Sequence, residues 1–370
     1  MPLRILYLTP DLFGPPSGIA RYCRMVCRSL AHNGHRVTTV SLLDDEGART
    51  EARETFPAMS YFPCGAKRRP FIRHALRAVR TRPDIILVGH PNFAPLGWLL
   101  ARMTGAPVVS FIYGIDAWEP LSKVRRAALG SAERIVSISR FTAKSCARVN
   151  GIAPDKVRIL HNCLDPNFQG REALASANAS LSLLTVARIS LAESYKGHDI
   201  VIRALGKLLQ RFPSLVYNVV GDGDGRGALE ALANELGVAH AVHFHGVVSE
   251  RELIESYESA SVFVMPSRFE GFGFVFLEAM TYGKPVVCGN EDASPEVVCD
   301  GETGFCVPPT AVDEVAAALE RLLGDAELRA RMGAAAKKRV EEHFGFPAFE
   351  KQLTALLAEV APLAKSHSAA

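Results

Sequence analysis

No stretch of this 370-residue sequence approaches the roughly 20 unbroken apolar residues of a membrane-spanning helix. The richest segment, 93–115, is interrupted by Pro95, Arg102 and Pro107. The N-terminus, MPLRILYLTP, enters a strand pattern at once and lacks the apolar region and small-residue cleavage site of a secretory signal. The eight cysteines form no CxxC, and none stands at zinc spacing from a histidine. They are read as buried thiols in a reducing, cytoplasmic compartment. The first strand is not followed by a full G-x-G-x-x-G, which speaks against an NAD(P) oxidoreductase. The segment Asp222-Gly223-Asp224 follows a strand, but it puts two acids where a pyrophosphate would sit. It is read as a tight strand-to-helix turn, and neither metal nor cofactor is expected. His243 and His245 share one strand face without a third ligand and are read as structural. No nucleic-acid module accompanies the basic residues.

What is present suits two soluble domains. Apolar residues make up 48% and charged residues 22%, a globular profile over a chain too long for one ordinary core. Charge is unevenly divided: 24 basic and 12 acidic residues precede Pro166, and 18 and 27 follow. A basic first half beside an acidic second half points to an anionic partner for the first. Short apolar runs at 5–8, 37–42, 85–88, 108–111, 135–138 and 157–159 alternate with helical patterns. The order repeats at 181–186, 216–220, 242–244, 262–265 and 285–288. Such alternation predicts doubly wound parallel sheets. The polar, small-residue segment REALASANAS reads as a linker. The expected domains are 1–170 and 171–346, followed at 347–370 by a last helix and an unstructured tail, KSHSAA.

Three segments carry chemistry. In PSRFEGFGFVFLEAM, 266–280, a strand runs through a glycine-containing loop into a helix. Ligands bind beyond strand carboxyl ends in such sheets, and a helix N-terminus suits phosphate. Glu270 and Glu278 can accept hydrogen bonds from sugar hydroxyls. Eight residues of helical rise span about 12 Å, more than the roughly 5–9.5 Å of a glycosidase acid/base pair, so the two would grip opposite ends of one elongated ligand. In RISLAESYKG, 188–197, Arg188 and Lys196 follow a strand end and would neutralise a diphosphate. The loop 14–21, containing Gly18, is a third, weaker anion cradle.

Together with SGIARY, YKGHD, VVGDGD, GKPVV and PEVVCDGETGFCV, these segments resemble the retaining glycosyltransferases of family 4 over nearly the whole chain. The resemblance implies an α/β, GT-B fold: two Rossmann-like domains facing a cleft, with a C-terminal helix crossing back to the first. It also implies metal-independent transfer of a hexose, mannose or glucose, from a GDP- or UDP-sugar to a glycan or lipid-linked acceptor. Glu270 would bind the donor sugar and Glu278 the ribose. Arg188 and Lys196 would bind the diphosphate, with backbone N–H groups around Phe272, Gly273 and Phe274. Gly18 would approach the same phosphates. Retention would follow from front-face attack, a donor phosphate oxygen taking the acceptor's proton. The sequence departs from the family in one place. Family members often have His-Gly at a first-domain strand end, beside the transferred sugar; here Tyr113 stands there, a poor base near neutral pH. Asp116 and His90 are neighbouring candidates on the acceptor side. A non-catalytic nucleotide-sugar or glycan-binding protein, and an epimerase or phosphorylase on the same fold, stay open as alternatives.

One further segment, KRRPFIRHALRAVRTR (67–82), holds seven cations and no acid, interleaved with Phe71, Ile72, Leu76 and Val79 at helical spacing. A basic face beside an apolar one suits an anionic membrane surface. The expectation is a peripheral enzyme on the inner membrane face. A helix packed on its own sheet, with a solvated basic face, explains the same pattern.

Overall fold

The structure, a computed structural model, describes residues 2–14, 17–166, 168 and 181–367. The REALASANAS segment therefore lies outside the described residues. The chain divides into two compact units, Met1–Cys163 with Phe346–Ala370, and Leu164–Gly345.

The strands of the first unit are β1 Arg4–Thr9, β2 Arg36–Ser41, β3 Ser60–Pro63, β4 Ile85–Val88, β5 Val108–Ile112, β6 Arg134–Ser137 and β7 Val157–Ile159. They form one sheet in the order β3-β2-β1-β4-β5-β6-β7, parallel at every pairing. The central strands β4 and β5 are buried along their whole length, which is why they read as near-continuous apolar runs, with only Ser110 polar, rather than alternating ones. Two of the connecting helices start on serine caps. Ser17 accepts the Ala20 N–H at the start of Gly18–His32, and Ser139 accepts that of Thr142 at the start of Arg140–Asn150, each satisfying a donor that the helix leaves over.

The second unit has β8 Ser182–Val186, β9 Val216–Val220, β10 Val242–Gly246, β11 Val262–Met265, β12 Val286–Gly289 and β13 Gly304–Val307, in the order β10-β9-β8-β11-β12-β13. All pairings are again parallel. The sequence pattern did not show β3 and β13, and both are edge strands. One ends on Pro63, which suits an edge and masks a strand pattern. The other begins on Gly304, where a Cβ would stand 1.9 Å from the Val286 carbonyl oxygen; glycine lets the two backbones meet.

The last helix, Phe346–His367, packs within the first unit and extends into the segment expected as an unstructured tail. Phe349 meets Tyr22 edge-on at 5.5 Å, and Leu353 and Val360 are fully buried. On its outer side Glu359 pairs with Arg134 at 2.7 Å and Arg158 at 2.6 Å. Exposed ion pairs contribute about 0–1 kcal/mol, whereas a buried leucine cut to alanine costs about 2–5 kcal/mol. Leu353→Ala should therefore lower the urea midpoint of the full chain several times more than Glu359→Gln. Equal shifts would show that the ion pairs, not the apolar face, hold the helix.

Candidate active site

In each sheet the chain winds outward from a central strand, then returns to that strand's other side. The crevice at this reversal, beyond the strand carboxyl ends, is where open α/β sheets bind ligands. In the second unit the reversal lies between β8 and β11. The loop 187–197 follows one strand and the loop 266–273 follows the other.

These two loops are fastened together. Lys196 Nζ lies 2.6 Å from Glu270 Oε2, with the two side chains only 17% and 15% exposed. The Arg268 N–H donates to the Tyr195 carbonyl at 3.0 Å, and the Phe269 and Tyr195 rings meet edge to face at 5.5 Å. Gly197 has φ +81°, and a Cβ there would sit 2.6 Å from the Pro266 carbonyl oxygen. Only glycine lets the loops approach this closely. Burial opposes the charge on Lys196, but the Glu270 carboxylate outweighs burial and raises its pKa. Lys196 is thus a fixed cation at neutral pH.

Two supporting residues escaped the sequence reading. Asp292, beyond the end of β12, accepts the Glu270 N–H at 2.7 Å and the Ser294 N–H at 2.9 Å. Burial pushes its carboxyl up to about 6, against those hydrogen bonds. An acid just past a strand end was its only signal. His198, directly after Gly197, is buried, and its Nε2 has no hydrogen-bond partner. Burial first, and then the Lys196 charge, lower its pKa to about 4, so the ring is neutral.

The other expected donor-site residues are placed as follows. Arg188 is 72% exposed and forks onto Glu193, Nη2 to Oε1 at 2.6 Å and Nε to Oε2 at 3.1 Å. Glu278 is buried and accepts the Tyr257 hydroxyl at 2.7 Å. Phe272 turns into the core, edge-on to Phe344 at 5.5 Å. Gly273 begins the helix Phe274–Thr281 at φ +90°, without a side-chain cap, and no acid stands in the first turn. A helix start of this kind carries a positive dipole end.

The segment 221–225 supports the Arg188 loop from behind. Cβ atoms on Gly221 and Gly223 would lie 2.0 and 2.1 Å from the carbonyl oxygens of Ala187 and Ile189. The Ile189 N–H donates to the Asp222 carbonyl, the Gly225 N–H donates to that of Ile189, and Asp224 Oδ1 accepts the Leu191 N–H at 2.9 Å. Its glycines serve backbone contact with the neighbouring loop. Among the described residues, no group of three His, Cys, Asp or Glu side chains could hold a metal.

In the first unit the chain reverses between β1 and β4. Residues 15 and 16 of the glycine-containing loop lie outside the described residues. Gly18 is the first residue of its helix, directly after the Ser17 cap. Asp44, buried and also missed from sequence, shapes the loop after β1 by accepting the N–H groups of Leu12 at 2.7 Å and Phe13 at 3.1 Å. His90 follows β4; its Nδ1 accepts the Asn92 N–H at 3.1 Å. Burial and the charge of Arg125 lower its pKa to about 4. The neutral ring therefore carries its proton on Nε2 and can donate there. The Tyr113 side chain is buried, with its hydroxyl 3.6 Å from Cys23 Sγ and its ring edge-on to Tyr22 at 5.4 Å. Burial raises its pKa well above the usual value. Asp116 accepts the Tyr113 and Gly114 N–H groups at 3.1 and 2.6 Å. Burial pushes its carboxyl up to about 6, against those bonds.

Comparison with known proteins covers both units. Residues 16–168 match the model of Glycosyltransferase Family 4, and residues 171–339 that of Glycosyl transferases group 1. A D-inositol 3-phosphate glycosyltransferase of Streptomyces scabiei is 33% identical over 288 residues, 68% of this chain and 62% of that protein. The chain thus spans less than two thirds of that relative's length. A GDP-mannose-dependent alpha-(1-6)-phosphatidylinositol monomannoside mannosyltransferase of Mycolicibacterium smegmatis is 32% identical over 288 residues, 72% of this chain and 75% of that one. Among solved structures, HepE of Anabaena, in complex with UDP and glucose, superposes with a TM-score of 0.77 at 21% identity, over 96% of this chain and 99% of that one. That likeness establishes the GT-B fold.

The raised Asp292 pKa has a consequence for stability. A carboxyl at about 6 in the folded state and near 3.9 unfolded binds its proton more tightly when folded. Its contribution is full below pH 4 and is lost as pH rises through about 6. Two units correspond to about 3 kcal/mol at most. Asp292→Asn should flatten the fall in unfolding free energy between pH 4 and pH 6, whatever it does to the absolute level. Parallel curves for the two proteins, from urea titrations across that range, would refute the assignment.

Proposed function

We propose, from the premise that the chain belongs to glycosyltransferase family 4, that it transfers a hexose from a nucleotide diphosphate sugar to an acceptor hydroxyl. The observation that carries this reading is the largely buried Lys196–Glu270 pair in the crevice between β8 and β11. Departure of a nucleoside diphosphate builds negative charge on phosphate oxygens. Fixed cations and helix dipoles aimed at that charge lower the barrier. Lys196 supplies the cation, and the helix start at Gly273 the dipole. Arg188, in the same loop as Lys196, adds a guanidinium fork suited to phosphate. The Glu270 carboxylate accepts donor-sugar hydroxyls, and Glu278 the ribose. The cations perform the neutralisation that a metal would, so the reaction is metal-independent. Configuration is retained by front-face attack, with a donor phosphate oxygen accepting the proton. A mannose or glucose donor is supported by the GDP-mannose dependence in one relative's name and the UDP and glucose bound to HepE. Wild-type protein should release UDP or GDP from a panel of nucleotide sugars only when a glycan or lipid-linked acceptor is added. Glu270→Ala should cut that turnover about 100-fold, as loss of one electrostatic contact to the transition state does. A rate within about threefold of wild type would sink the assignment.

An acceptor at an anionic lipid surface accounts for a second set of observations. The helix Arg68–Ala78 buries Phe71, Ala75 and Ala78, while Ile72 and Leu76 are exposed. The apolar residues of the sequence pattern therefore divide between core and surface. Arg69, Arg73, Arg77 and Arg80 flank Ile72 and Leu76 along a shallow groove. The helix Ala94–Thr104 exposes Trp98, Leu99 and Met103, with the Arg102 guanidinium 5.7 Å from the Trp98 ring centre. An aromatic ring, aliphatic side chains and cations without an interleaved acid fit the headgroup layer. Among the described residues no helix is long and apolar enough to cross a membrane, so the association would be peripheral. At about 1 kcal/mol per cation near an anionic surface, replacing Arg73, Arg77 and Arg80 by Ser should lower the partition onto anionic vesicles roughly 100-fold, and added salt should weaken it. Equal recovery in the supernatant with neutral and anionic vesicles at low salt would defeat the membrane reading and leave the transferase reading standing.

A further inference from the structure

Both cations of the loop 187–197 already face a carboxylate: Lys196 faces Glu270, and Arg188 faces Glu193. The first pair joins two loops, whereas the second lies within one. We infer that Glu193 is a placeholder anion, which occupies the Arg188 guanidinium until the donor's diphosphate takes it over and reclaims it when the nucleoside diphosphate leaves. The inference rests on the reading of Arg188 as a diphosphate ligand and assigns a role to a residue that reading does not use.

Arg188 presents Nε and Nη2 to the two oxygens of Glu193 at 3.1 and 2.6 Å, the same two-point fork that guanidinium offers to phosphate. The partners differ in freedom. Arg188 is 72% exposed, and Glu193 is 22% exposed. Glu193 is also fixed from below: its N–H donates to the Ser190 carbonyl at 2.9 Å, and its φ/ψ of −114°/28° kinks the short helix Leu191–Lys196. Two residues earlier, the Leu191 N–H is tied to Asp224. Glu193 is therefore the stationary partner, and Arg188 the one whose long side chain can swing. An exposed ion pair of this kind is weak, and a diphosphate carries more charge and more acceptor oxygens than one carboxylate. The exchange thus favours the incoming ligand but reduces its net affinity. Once the sugar has moved, Glu193 competes with the product for the same fork and shortens its stay. Glu193 acts through Arg188 and is a positioning residue.

The test is a double-mutant cycle on nucleotide binding by calorimetry, with UDP and GDP as probes and uridine and guanosine as controls. Wild type, Glu193→Gln, Arg188→Ala and the double variant are compared in the full chain. Glu193→Gln should tighten nucleoside diphosphate binding about two- to fivefold, the range expected for release of an exposed ion pair, with nucleoside binding unchanged. In the Arg188→Ala background the same substitution should do nothing. Weaker binding by Glu193→Gln would overturn the inference, because Glu193 would then be orienting Arg188 for the ligand. An equal gain in both backgrounds would overturn it as well, because plain repulsion between Glu193 and phosphate would suffice. Full nucleoside diphosphate affinity in Arg188→Ala would remove Arg188 from the phosphate site and the inference with it. Failure of wild type to bind either nucleotide would instead count against the donor reading as a whole.

Discussion

The ion pair between Lys196 and Glu270 is the constraint on which the second unit's site depends. Withdrawing two charges from water costs several kcal/mol per ion, and mutual attraction offsets this only with close geometry and further hydrogen bonds. The structure supplies both. Nζ and Oε2 are 2.6 Å apart, the Glu270 N–H and carbonyl are held by Asp292 and the Ala293 N–H, and Gly197 lets the two loops touch. A pair so supported is weak evidence for stability and better evidence for function. Replacing both ions by apolar groups would remove the desolvation penalty, whereas a site that receives a charged, hydroxyl-rich ligand needs both signs of charge.

The same constraint explains what could be read from the sequence. The positions of Glu270, Lys196 and Gly273 were legible because each stands past a strand's carboxyl end or at a helix start, and such places are visible in one dimension. The buried central strands were legible as apolar runs for a similar reason. Asp292 and Asp44 were not. Each acts on backbone N–H groups 22 to 32 residues away, and nothing in the local sequence marks that reach. The edge strands β3 and β13 were lost to a proline and a glycine that belong to edges and close backbone contacts. Tyr113 stands just past β5, but its hydroxyl lies inward against Cys23, an orientation fixed by packing with Tyr22. A sequence position cannot report it.

The segment Gly221-Asp222-Gly223-Asp224-Gly225 shows how a motif can mislead by its composition alone. Its glycines are there because Cβ atoms would strike the carbonyls of Ala187 and Ile189, and Asp224 is tied to the Leu191 N–H. The loop therefore fixes the backbone from which Arg188, Glu193 and Lys196 project. Glycine-rich phosphate loops and this segment share a chemistry, close backbone approach, but here the neighbour approached is another loop of the same protein.

Fixing that backbone has a kinetic implication. A loop that carries two cations and lacked partners would leave its ordering to the ligand. Here two carboxylates and the supporting turn order it beforehand, so ligand binding need not supply the cost of immobilising the main chain. What would remain to move on the inferred exchange is a side chain, the Arg188 guanidinium, which lies largely in solvent. Exposed side-chain rotamers change in picoseconds to nanoseconds, whereas loop rearrangements take nanoseconds to microseconds. On the inferred exchange, the step to a bound diphosphate would then be a swap of counter-ions on a standing backbone, and the acids that compete with the ligand would be the same acids that hold the loop.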